Sequence, residues 1–189
     1  THGNFTCLPN DDNKAVTINS NALIKVQGNF NCKKLSMLSN SNLYVAGNIT
    51  CNSTDFSSGS DNQVIYCGGN AVIRNDFASN RIIKARGTLQ LNNVNITAAN
   101  QDNLYASGGI VCGDFNANGG TNSIALCYPI TVNSTLRLSE NSTVKSSSDI
   151  TIKAAELKGN NTIQTRGKFT ATENLVVTES LKNDTKQTF

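Results

Sequence analysis

The sequence predicts an all-β protein, folded as a single parallel β-helix. Three observations lead there. A five-residue motif recurs, as "GNFTC" at 3–7, "GNFNC" at 28–32 and "GNITC" at 47–51. A column of branched aliphatics returns at the same place in each repeat. The composition is polar but weakly charged, with 15% charged residues and no Trp, against a usual quarter or so charged. A repeat read at a fixed period decides the architecture before any local preference does.

The repeat is anchored on its glycine. The anchors are Gly3, Gly28, Gly47, Gly69, Gly87, Gly108, Tyr128, Ser148 and Gly167, about nine coils at a step of ~20 residues. Glycine fits a sharp corner where a side chain would collide. Two positions on, the column reads Phe5, Phe30, Ile49, Ala71, Leu89, Ile110, Ile130, Ile150 and Phe169. Four on, it reads Cys7, Cys32, Cys51, Ile73, Leu91, Cys112, Val132, Ile152 and Ala171. Polar residues such as Asn29 and Asn31 intervene, which is the alternation of a strand with one buried face.

A second, less regular side carries Val16, Leu35, Phe56, Phe77, Val94, Phe115, Leu136, Leu157 and Leu175. It leads into a turn column, Asn21, Asn40, Asn62, Asn80, Gln101, Thr121, Asn141 and Asn160. Asn tolerates left-handed backbone, and stacked amides can bond along the axis. The third side follows, with Ile24, Leu43, Ile65, Ile83, Leu104, Ile124, Val144 and Ile163 four residues before the next anchor. Each coil thus holds three short strands, and parallel stacking makes a rod ~40 Å tall. Right-handedness is the general expectation for such coils and is not read from these residues. A β-sandwich would need strands every 8–12 residues without columns at a coil period. The chain is taken as one domain, 1–189, with a short polar tail at 182–189.

Six cysteines, Cys7, Cys32, Cys51, Cys67, Cys112 and Cys127, form no C-x-x-C pair, and the usual zinc patterns are absent. Disulfides in an exported protein are expected. Cys51–Cys67 and Cys112–Cys127 run alike from one column towards the next corner, and Cys7–Cys32 would join neighbouring rungs. The competing reading is that buried Cys act as small apolar residues. Eight N-x-[ST] sequons, at Asn4, Asn48, Asn52, Asn95, Asn133, Asn141, Asn160 and Asn183, also agree with export.

Chemistry is thinly represented. His2 is the only histidine, so Ser-His-Asp or Cys-His catalysis is not expected, and no cofactor is implied. Asp55, Asp76 and Asp114 recur as "TDF", "NDF" and "GDF" and should point outward. They read first as solvated turn acids. A cation site or a carboxylate pair on adjacent coils are the sharper alternatives for Asp55 and Asp76. An outward column runs Lys25, Tyr44, Tyr66, Lys84 and Tyr105, flanked by Leu23, Val64 and Ile82. It suits a lateral contact with protein or glycan. The outward Thr column is broken by Val72, Gln90 and Val111, which argues against an ice-matching lattice.

Net charge is +3, and the basic residues are scattered rather than gathered on one face, which excludes nucleic acid as the expected partner. No apolar stretch approaches the ~20 residues of a membrane span. A solenoid exposes unpaired backbone at its ends unless capped, and neither "THGNF" nor "ENLVVTESLKNDTKQTF" reads as a cap. End-to-end self-stacking is therefore an expected partnership.

The run "GNFNCKKLSMLSNSNLYVAGNITC", with its Asn turns, resembles secreted bacterial β-helix surface proteins of the filamentous-haemagglutinin kind. The resemblance lies in repeat style. It implies a surface stalk or adhesin at the cell surface, although the six cysteines depart from that Cys-poor style. The functional expectation is a non-enzymatic extracellular shaft or filament subunit. The alternative is a glycan-binding module or a polysaccharide-degrading enzyme.

Overall fold

The computed structural model describes all residues but 10, 12–13, 56–62, 75–76, 79–80, 97–103, 118–122, 127–128, 140–141, 179–180 and 184–189. At 77–78, 81, 96, 123–126 and 181–183 it describes the backbone only. The described residues are strands and turns, with parallel pairing between successive coils throughout. The fold is a parallel β-solenoid of about 7 turns with neighbours on both sides, and one further rung lies at each end.

The three sides are named here by their residues. The glycine side follows each anchor. Its register runs unbroken from Phe5 through Phe30, Ile49, Ala71, Leu89, Ile110, Ile130 and Ile150 to Phe169. The aligned column of the sequence is therefore the physical column of the rod. Interior members are fully buried, and Phe5 stacks on Phe30 with ring centroids 4.9 Å apart. Burying each large aliphatic contributes about 1.5–3 kcal/mol, and the period multiplies that gain along the axis.

The leucine side is continuous with the glycine side where one strand turns the corner, as in Phe30–Met37, Ile130–Ser139 and Ile150–Lys158. The last two shift register between Val132 and Thr135. Phe77, Val94, Phe115, Leu136, Ala155 and Leu175 share one column there. The tyrosine side is a separate sheet of Leu23–Val26, Asn42–Val45, Gln63–Cys67, Arg81–Ala85 and Leu104–Ala106. It resumes as Ser123–Leu126, Thr143–Ser146, Asn161–Thr165 and Leu181–Asn183. That last strand lies partly inside the expected tail, which is shortened accordingly; 184–189 fall outside the described residues.

Two members of the turn column take the left-handed backbone expected of them. Asn21 and Asn40 take φ of 60° and 57°, and the Asn40 amide donates to Asn21 Oδ1 at 3.3 Å. Asn62, Asn80 and Asn141 lie outside the described residues. Asn160 departs from the expectation, because Gly159 takes the left-handed position there, with φ 84°. Glycine adopts that region without a Cβ penalty, so the asparagine need not. Ser41, Gln63, Ser142 and Asn161, each next in sequence to a turn-column asparagine, are buried polar residues. Three of them bond back three residues. Ser41 Oγ donates to Leu38 O at 2.6 Å, and Asn161 Nδ2 donates to Lys158 O at 2.7 Å. A buried polar group needs such a partner.

Candidate functional site

The opening motif is a ladder. Asn4 Oδ1 accepts the Asn29 backbone N–H, Asn29 Oδ1 that of Asn48, Asn48 Oδ1 that of Asn70, and Asn70 Oδ1 that of Thr88, each at 2.8 Å. Each amide oxygen occupies the space that a Cβ on the next coil's anchor would need, at Gly28, Gly47, Gly69 and Gly87. The dipeptide Gly-Asn is thus one device spread over two coils. The sequence reading took these asparagines for ordinary outward residues. The signal was present in the repeated "GN".

A second ladder crosses the leucine side. Asn93 Oδ1 accepts the Asp114 N–H at 2.8 Å, and Asp114 Oδ1 accepts the Thr135 N–H at 3.0 Å. Asn116 Nδ2 donates to Asn95 Oδ1 at 2.8 Å. Arg137 bridges Asp114 Oδ2 at 3.4 Å and Glu156 Oε2 at 3.1 Å. The Ser134 hydroxyl, the Thr135 N–H and Arg137 together hold the Asp114 carboxyl below its usual range. Asp114 is therefore a structural acid. Asp55 is paired with Lys34 on the previous coil at 3.6 Å, and Asp76 lies outside the described residues. The expected pair of Asp55 and Asp76 therefore lies outside the described residues. Among the described residues, no group of three or more His, Cys, Asp or Glu could hold a metal.

The expected Cys7–Cys32 and Cys51–Cys67 bonds are not formed: Cys7, Cys32, Cys51, Cys67 and Cys112 are free thiols in this structure. The expected Cys112–Cys127 pair lies outside the described residues with Cys127. Cys51 does not meet Cys67; its Sγ lies 3.1 Å from Cys32 Sγ, because Cys32 and Cys51 are register partners. Cys67 sits on the tyrosine side beside Val45 and Ala85, and its thiol donates to Gly47 O and Asn70 O. Cys7 is also a register partner of Cys32, yet it carries a free thiol. Burial, and then Asp114, push the Cys112 thiol up to about 12.

The tyrosine side is the candidate contact surface. Lys25, Tyr44, Tyr66, Lys84 and Tyr105 are register partners in succession. Their neighbours Leu43, Val45, Ile65 and Cys67 are buried, so strand alternation turns the column outward. Tyr44 and Tyr66 stack with centroids 4.4 Å apart and 18° between planes. Lys84 Nζ lies 5.7 Å from the Tyr66 centroid, within reach of cation–π attraction. Partial burial, and then the Tyr66 phenol, raise the Tyr44 hydroxyl above its ordinary value.

Tyr44 and Tyr66 thus turn one ring face to each other, and Lys84 approaches the ring of Tyr66. Beside them runs an open groove of about 740 Å³ whose lining includes Ala46, Gly68 and Arg86. The charged residues described along it, Lys25, Lys84 and Arg86, are all cationic. His2 belongs to the first coil, its Nδ1 3.0 Å from Gln27 Oε1.

No family model, curated protein or solved structure matches this chain.

Proposed function

We propose that the chain is a non-enzymatic structural solenoid, secreted and displayed at the cell surface. It serves as an adhesin shaft of the filamentous-haemagglutinin kind, or as a subunit stacking end to end into an extracellular filament. One observation carries the reading. The glycine-side register runs without a break from Phe5 to Phe169, so these rungs form one stack. Its ordered side chains serve rungs, ladders and corners. The last leucine-side strand leaves Leu175 and Val177, register partners of the buried Ala155 and Leu157, 43% and 39% exposed. A further coil of the same period would cover them, and a second copy could supply it.

The test is negative-stain electron microscopy of the chain across a concentration series. Filaments whose axial repeat matches the rod height support the stacking form, and short rods support the shaft. Compact round particles would overturn both. Cleavage of a polysaccharide by the wild type, abolished in Asp55→Asn, would overturn the non-enzymatic reading.

A second reading, a glycan-binding module, is favoured by the tyrosine side. The cations Lys25, Lys84 and Arg86 beside the tyrosines suit an acidic glycan better than a neutral one.

A further inference from the structure

We propose that Cys32 and Cys51 are joined by a disulfide that staples the second coil to the third. The two residues are direct register partners on the glycine side, and their sulfurs stand 3.1 Å apart. A disulfide needs Cα atoms within about 4.4–6.8 Å and sulfurs about 2.05 Å apart. Parallel rungs at ~4.8 Å meet the first condition, and a small rotation of both side chains meets the second. Neighbouring coils need not move.

The geometry also selects among partners. Cys32 lies in the column between Cys7 and Cys51 and can bond only one of them. The sulfur contact is with Cys51, and both residues of that pair are buried, while Cys7 is half-buried. Cys67 points to another corner, held by the carbonyls of Gly47 and Asn70.

Formation requires a disulfide oxidant, such as oxidised glutathione or a dithiol–disulfide oxidoreductase. One protein thiolate attacks the oxidant's S–S bond and expels a thiolate. The second protein thiolate then attacks the mixed disulfide and expels the other. Two protein thiols lose two protons and two electrons, and the oxidant becomes two thiols. Cys32 and Cys51 are both buried in the folded rod, so an oxidant reaches them while the coils are closing. Once closed over, the bond is shielded from reductants.

The inference needs an oxidising setting but not the adhesin or filament reading, and its test is independent of both. The reduced, unfolded wild-type chain is refolded in a glutathione redox buffer, alkylated, and digested without reduction. Trypsin places Cys7 in 1–14, Cys32 in 26–33, and Cys51 with Cys67 in 35–74; chymotryptic cleavage after Tyr66 separates the last two. The expected result is a linked Cys32–Cys51 peptide, together with a midpoint for thermal unfolding roughly 6–12 °C above that of the reduced chain. Alkylated, unlinked Cys32 and Cys51 would overturn the proposal. So would a Cys7–Cys32 or Cys51–Cys67 link.

Discussion

Gly69→Ala and Asn48→Ala should not be additive. At Gly69 a Cβ would overlap Asn48 Oδ1, while its next neighbours, Asn48 Cγ and Gly47 O, are both 3.2 Å away. The backbone at Gly69 does not require positive φ, so alanine is tolerable there apart from that overlap. The Asn48 side chain must swing aside, and it then loses the 2.8 Å bond from the Asn70 N–H. The glycine substitution thus breaks the same hydrogen bond that Asn48→Ala removes. Such a bond contributes about 1 kcal/mol net, and Asn70 is exposed enough for water to take its N–H. Each single variant should lose about 1–2 kcal/mol, with Gly69→Ala the worse because of Gly47 O. The double variant should match Gly69→Ala alone, which is a coupling of about 1 kcal/mol in a double-mutant cycle. Urea unfolding followed by circular dichroism reads the four midpoints. Full additivity would refute the Gly-Asn device and reduce the glycine to an ordinary corner residue.

Further expectations concern the core, the tyrosine side and acid stability. Phe115 is fully buried in the leucine-side column between Val94 and Leu136. Phe115→Ala should cost about 3–5 kcal/mol, and a loss below about 1 kcal/mol in the same urea assay would mean that the column is not packed. Tyr44→Ala with Tyr66→Ala should leave the far-ultraviolet spectrum intact and abolish retention on a uronate-containing glycan array; undiminished retention would remove the tyrosine side as a contact surface. Asp114 has a folded pKa depressed from its ordinary 3.8. Its contribution to stability is therefore complete above that value and is lost as pH falls through the lower folded one. An acid titration of Asp114→Asn should show lower stability near neutrality and a shallower decline below pH ~4, where wild type and variant converge. Parallel curves across the whole range would contradict the role given to Asp114.

Much of the fold was legible in the sequence because a solenoid writes its core once per turn. The columns through Ile49, Ile65 and Cys51 could be aligned by eye and proved to be register partners. The turn role of Asn21 and Asn40 followed from what asparagine backbone tolerates. The side chain–backbone ladders were harder, since "GNF" shows that Asn29 recurs without showing what its amide touches on the next coil. The same holds for Asp114, which looked like a solvated acid and is held by Ser134, Thr135 and Arg137.

Periodicity by itself determined the class of architecture, the inward columns and the outward tyrosines, because both the strand alternation and the coil step are properties of spacing. Three-dimensional packing decided the rest. Which cysteine faces Cys32, that the Tyr44 ring stacks on Tyr66, and which acid meets a cation all depend on side-chain directions across coils. Residues about 20 positions apart become neighbours at ~4.8 Å only once the rod is wound.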